Sequence, residues 1–196
     1  MPRATVTGTT ERRPLFLDRD GTLIRDENFL KDPAALRLLD GVPAALHRFI
    51  DAGFVPVVIT NQSGIARGIL TEQDYRATHA ELVRQLDAHG VELAAEYHCP
   101  HHPDFPYEGV TDCDCRKPGT LLHQRASAEL GLDPARGVFI GDRWRDVVPA
   151  REFGGRGILV PSEGTPADEV GRAVREAEVA SDLGAAASLV LDPQTD

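Results

Sequence analysis

The sequence predicts an α/β domain with a mainly parallel sheet, and three observations carry that prediction. Short apolar runs alternate with segments of helical periodicity along most of the chain. Three of the runs, ending at Leu17, Ile59 and Ile140, each stop at a polar cluster. Ligands of parallel sheets gather at the carboxyl ends of strands, which is where such clusters would meet. The length agrees: 196 residues make one domain, expected over 14–192 behind a flexible tail at 1–13.

The elements follow in order. Leu15-Phe16-Leu17 is a short apolar strand running straight into Asp18-Arg19-Asp20-Gly21-Thr22. Over 41–52, Val42, Ala45, Leu46, Phe49 and Ile50 recur at helical spacing, and Gly53 ends the helix. Residues 54–59 read as a buried strand, although Pro56 conflicts with a central, fully paired position. That strand ends in Thr60-Asn61-Gln62-Ser63-Gly64. Thr71 and Asp74 form a capping-box pattern ahead of a helix carrying Tyr75, Leu82 and Leu86. Another strand is expected at 94–98. Residues 99–118 show no period and are dominated by Pro, Gly, His, Cys and Asp. A helix over 120–130 stops at Gly131, and a strand at 137–140 leads into Gly141-Asp142. A helix to about residue 153, a strand at 157–160, a helix near 167–176 and a short apolar end at 183–191 complete the pattern.

Composition narrows the function. Apolar residues are 41% and charged residues 27%, ordinary for a globular domain. The longest apolar stretch, 54–59, is far too short to span a bilayer. Residues 1–13 lack the apolar core of a secretory leader, so the expected compartment is the cytoplasm. A net charge of −10 counts against nucleic acid and anionic membrane surfaces as partners. Small anionic substrates remain open, because local basic groups and a metal ion override an average field.

Asp18 and Asp20 sit one residue apart at a strand end, so both side chains reach one face and one metal ion or reacting group. Magnesium takes one or two such carboxylates together with water and substrate phosphate. Asp142 is a further carboxylate at another strand end, with Asp146 one helical turn beyond it. The hydroxyl and amides of 60–63 can hold phosphate oxygens. All three cysteines fall in one loop as Cys99-x-His101, eleven residues, then Cys113-x-Cys115. That set meets the closed tetrahedral requirement of structural zinc, with His102 able to replace His101. A disulfide would leave one cysteine over. Arg116-Lys117 follows the loop, and Lys117 is one of only two lysines in the chain, which points to a required ammonium.

Together these motifs resemble the haloacid dehalogenase (HAD) superfamily, and within it the heptose bisphosphate phosphatase and histidinol phosphatase subgroup. The match runs in order over 14–160. It implies a three-layer HAD-like Rossmannoid core with no large cap domain and a short zinc-bearing loop beside the site. It implies that Asp18 is the nucleophile, that Asp20 is the acid and base, and that Thr60 and Lys117 stabilise the transferring phosphoryl group. Magnesium would be held by the Asp18 carboxylate, the Asp20 carbonyl and Asp142. Structural zinc would be held by Cys99, His101, Cys113 and Cys115. Asp26, Asn28, Phe29, Asn61, Gln62, Ser63, Arg116 and Arg143 would bind substrate, Arg143 standing where the subgroup usually has lysine. The resemblance implies a monomeric phosphatase acting on a small sugar phosphate, the C7 phosphate of a heptose 1,7-bisphosphate first and histidinol phosphate second. A catalytically silent phospholigand-binding module is the reading from a different class. A nucleic-acid end phosphatase is disfavoured by the charge.

Overall fold

The computed structural model describes residues 12–192. The tail expected at 1–13 lies outside the described residues as far as residue 11, while Arg12 bridges to Leu132 and Arg13 opens the first strand. Six strands are β1 (Arg13–Leu17), β2 (Phe54–Asn61), β3 (Ala95–Cys99), β4 (Val138–Gly141), β5 (Arg156–Leu159) and β6 (Glu178–Val179). Seven helices are α1 (Val42–Asp51), α2 (Glu72–Asp87), α3 (Leu121–Leu130), α4 (Trp144–Val147), α5 (Ala150–Phe153), α6 (Ala167–Glu176) and α7 (Leu183–Leu191). All sheet neighbours are parallel, in the order β3-β2-β1-β4-β5-β6. The chain winds outward from β1 in one direction and from β4 in the other, so the crevice between those two strands is the topological switch point.

Alternation along β1 separates the two faces of the core. Leu15 and Leu17 pack with Val58, Ile140 and Ile158 against Leu46 and Phe49 of α1, Leu82 and Leu86 of α2 and Ala186 of α7. Phe16 faces the other way and joins Val57, Ile59 and Phe139 with Leu122 and Ala126 of α3 and Ala150 of α5. Burial on both faces explains why the strands read as nearly continuous apolar runs. The sheet with its two helical layers is the three-layer architecture expected.

Four details refine the sequence reading. Pro56 does lie in a central strand, in register with Leu15 of β1. Its carbonyl accepts from the Ala94 amide, so its nitrogen also faces β3, whose pairing starts only at Val57↔Ala95. The missing N–H therefore removes no ladder bond. The single helix expected to about residue 153 is two short ones, because Pro149 has no N–H to continue the α4 ladder. The apolar end becomes α7, capped by the Asp182 side chain accepting from Ala185 N at 2.8 Å. The two-residue β6 was not anticipated; it extends β5 through Ile158↔Glu178 and Leu159↔Val179.

Candidate active site

The ends of β1, β2 and β4 lie side by side, which brings Asp18, Thr60 and Asp142 together from three distant stretches of chain. All three are buried, 7%, 1% and 4% exposed. The Asp18 amide donates to Ile140 O at 2.9 Å, continuing the β1–β4 ladder as far as Asp18. Gly21 follows with φ +80°, and a Cβ there would lie 2.5 Å from Asp142 Oδ2, so both the turn and the close approach require glycine.

Lys117 reaches this cluster from the far end of the Cys/His loop. Its Nζ lies 2.7 Å from Asp18 Oδ1 and 2.8 Å from Asp146 Oδ1, and it donates to Ile59 O at 2.5 Å. Burial works against its charge, but Asp146 and Asp18 outweigh burial and raise its pKa. The Asn61 amide anchors the Lys117 backbone, accepting from Lys117 N at 3.0 Å and donating to Lys117 O at 3.1 Å. Asp142 accepts from Ser162 Oγ at 2.6 Å, and Thr165 Oγ1 donates to its carbonyl at 2.7 Å. Burial, then the Asp18 charge, pushes the Asp142 carboxyl up to about 7.

Asp18, Asp142 and Asp146 offer carboxylate oxygens all within 4.8 Å of one another. Three carboxyl groups crowd one ammonium in a buried pocket, an excess of acidic oxygens that a divalent cation would balance. Oxygen donors alone suit magnesium.

The remaining sequence candidates fall into two groups. Asn61, Gln62 and Thr60 are joined to the cluster, and Gln62 Nε2 donates to both Thr60 Oγ1 and Asp20 Oδ2 at 2.9 Å. Ser63 is half-buried and its carbonyl caps the following turn through Arg67 N at 3.2 Å. Asp26, Asn28 and Phe29 form a separate loop in which Asp26 Oδ1 accepts from Asn28 N at 2.9 Å. Asn28 and Phe29 hold positive φ of 49° and 70°, and the Phe29 ring packs beneath the Arg67 guanidinium. Arg116 Nη1 donates to His101 O at 3.2 Å. Arg143 pairs with Glu169 of α6 at 3.2 Å, so its guanidinium is tied to that helix.

The second cluster is the Cys/His loop. His101 Nδ1 lies 3.7 Å from Cys99 Sγ and 3.2 Å from Cys115 Sγ. The sulfurs are 2.9 to 3.6 Å apart, and all three cysteines are free. Ligands at ordinary zinc distances stand roughly 3.5–3.8 Å apart in a tetrahedron, so this convergence fits one ion. His102 is engaged elsewhere, its Nδ1 accepting from Asp104 N at 3.1 Å, while His101 is the histidine that stands among the sulfurs. Burial pushes the Cys99 thiol up to about 11.

A family model described as HAD-hydrolase-like matches residues 114–186. A D-glycero-β-D-manno-heptose-1,7-bisphosphate 7-phosphatase of Haemophilus ducreyi is 38% identical over 144 residues, 73% of this chain and 79% of that protein. The chain belongs to the heptose-bisphosphate phosphatase family. The Pasteurella multocida member is 34% identical over 82% of this chain and 88% of its own length. A solved D,D-heptose 1,7-bisphosphate phosphatase from B. bronchiseptica, complexed with magnesium and phosphate, superposes with TM-score 0.79. It is 31% identical and the match covers 91% of this chain and 98% of that one.

Three participants in this heptose-bisphosphate phosphatase fold escaped the list of site residues read from sequence. Asp146 is visible in the sequence as a carboxylate four residues past Asp142, but its pairing with Lys117 needs the fold. Ser162 and Thr165 sit in the loop after β5, and no local pattern connects them to Asp142.

Proposed function

We propose that this protein is a magnesium-dependent phosphatase that removes the C7 phosphate of a heptose 1,7-bisphosphate through a phosphoryl-Asp18 intermediate. One observation carries the reading: Asp18, buried at the switch point, is held by Lys117 beside Asp142. The family makes the enzyme a phosphoric monoester hydrolase, and the relatives' names supply the sugar and its β anomer.

An Asp18 carboxylate oxygen attacks phosphorus, and the bond to the sugar oxygen breaks with its electron pair. Asp20 gives its proton to that leaving oxygen. Water then attacks the same phosphorus and gives a proton to Asp20, and the Asp18–phosphate bond breaks to restore the carboxylate. Lys117 commits its three N–H donors to Asp18, Asp146 and Ile59 O, so it holds Asp18 in place and acts on the phosphoryl group through its positive charge. Thr60 Oγ1 already accepts from Gln62, so its own proton is free for a phosphoryl oxygen. Magnesium on Asp18, the Asp20 carbonyl and Asp142 would offset the negative charge of the phosphoryl oxygens. Zinc on Cys99, His101, Cys113 and Cys115 would be structural, because four protein ligands leave no open position. Asn28, Phe29 and Arg116 are the sugar-side contacts in this reading.

Among the described residues no helix is long and apolar enough to cross a membrane. The reading places the protein in the cytoplasm as a monomer acting on a small soluble substrate.

The test is phosphate release with magnesium present, from both anomers of heptose 1,7-bisphosphate and from histidinol phosphate. We expect the β anomer to be preferred and Asp18→Asn to lose about 10⁴-fold or more in kcat. Activity retained in Asp18→Asn would overturn the covalent route, and turnover of histidinol phosphate alone would overturn the sugar.

A further inference from the structure

Arg19 stands between the two proposed catalytic carboxylates, and it is the largest fully buried side chain among the described residues, 1% exposed. A guanidinium keeps its charge at any depth, so a buried one must satisfy its donors within the protein. Arg19 does so chiefly on its own neighbour. Nε donates to Asp20 Oδ2 at 3.0 Å and Nη2 to Asp20 Oδ1 at 2.9 Å, a two-pronged grip. Nη1 donates to Thr78 Oγ1 at 3.3 Å, Nη2 also reaches Gln62 Oε1 at 3.3 Å, and the guanidinium lies 5.1 Å over the Tyr75 ring. Thr78 and Tyr75 belong to α2, so the cation is fixed by a helix remote from the reacting atoms.

The acceptor sites of Asp20 can then be counted. A carboxylate has about four, two on each oxygen. Oδ2 takes Arg19 Nε and Gln62 Nε2 and is full. Oδ1 takes only Arg19 Nη2 and keeps one site, in a side chain still 24% exposed.

We propose that Arg19 is a positioning residue: with Gln62 it saturates Asp20 Oδ2 and fixes the carboxyl plane. Oδ1 is then left as the oxygen that passes a proton to the leaving group and later takes one from water. The inference rests on the mechanism above and adds to it the residue that orients the acid and base. The grip is geometric, so a lysine at 19, which carries the charge without the fork, does not restore it.

The full chain with Arg19→Gln and Arg19→Lys is compared with the unaltered enzyme on two substrates. Heptose bisphosphate has an alkoxide leaving group that needs a proton, whereas 4-nitrophenolate departs without one. On the sugar, both variants should lose about 10²-fold or more in kcat with KM little changed. On 4-nitrophenyl phosphate, phosphorylation of Asp18 should stay within about 3-fold while its hydrolysis slows. The trace is then a burst approaching one nitrophenolate per enzyme followed by a slow steady state. Thr78→Val removes an α2 acceptor of Arg19 without touching either carboxylate and should show the same pattern at about tenfold, which covers the case that Arg19 variants fold poorly. Equal losses on both substrates without a burst, or full rescue by lysine, would overturn the proposal. Absence of turnover by the unaltered enzyme, or a burst persisting in Asp18→Asn, would instead overturn the underlying mechanism.

Discussion

At the scale of single residues, burial decides which charges the site can hold. Lys117 survives complete burial as a cation because two carboxylates face it, whereas His123, on the neighbouring helix, does not. His123 sits edge-on to Phe16 with Phe139 and Phe153 nearby, and its Nδ1 has no hydrogen-bond partner. Burial, then the Lys117 charge, pushes its pKa down to about 3 from 6.5. Between those values the unfolded chain binds a proton that the folded chain refuses. The stability this contributes is complete above pH 6.5 and is lost as the pH falls toward 3. His123→Phe removes that titration from an aromatic cage. Urea unfolding between pH 6 and 5 should show a slope shallower by up to one proton, about 1.4 kcal/mol per pH unit. Parallel curves for the two proteins would contradict the assignment.

At the scale of elements, the loop between β3 and α3 is the segment least able to stand alone. Phe105 at its tip is 41% exposed, and its apolar packing consists of Cys113 and Cys115 in the cluster that holds Tyr97 and Leu122, and of Tyr107 against the Ile65, Leu70 and Tyr75 cluster. Zinc on the four converging ligands would supply the folding free energy that burial does not. The loop also carries Arg116 and Lys117 at its end, with Lys117 tied back to β2 by the Asn61 amide. Cys113→Ser should therefore act twice. Bound zinc, measured by elemental analysis, should fall from one per chain toward none, and trypsin should gain access to the Arg116–Lys117 bond. Phosphate release should drop on the order of 10²-fold, because a displacement near 1 Å at Lys117 suffices for that loss. Unchanged zinc content with full activity would show that the loop is ordered by other means.

At the scale of the whole molecule, the sheet order 3-2-1-4-5-6 turns scattered residues into one pocket, since the β1–β4 crevice collects the ends of separate crossovers. The largest apolar side chains left exposed among the described residues are Phe105, Leu121 and Val174. They belong to three different elements, the Cys/His loop, α3 and α6. Sedimentation equilibrium should give the monomer mass of 21.3 kDa across the micromolar range. A concentration-dependent dimer would refute the monomeric part of the functional reading.

Much of this protein could be read without a structure, because its strongest signals are local. Apolar runs with turn residues mark the strands, the 3.6-residue period marks α1 and α2, and Thr71 with Asp74 marks the start of α2 through hydrogen bonds three residues apart. The paired aspartates at a strand end and the Cys/His spacing are local too, which is why they pointed to metal and phosphate chemistry from residue order alone. What the tertiary structure decided is each relation between segments distant in sequence. It placed Pro56 where its missing N–H meets no partner, joined Lys117 to Asp146, and set Ser162 on Asp142. It also tied Arg143 to Glu169 and drove Arg19 inward onto Asp20, where either arginine could have been read as solvated. Side-chain partners across such distances depend on how the sheet is ordered and which face each helix covers, and no window of sequence contains that information.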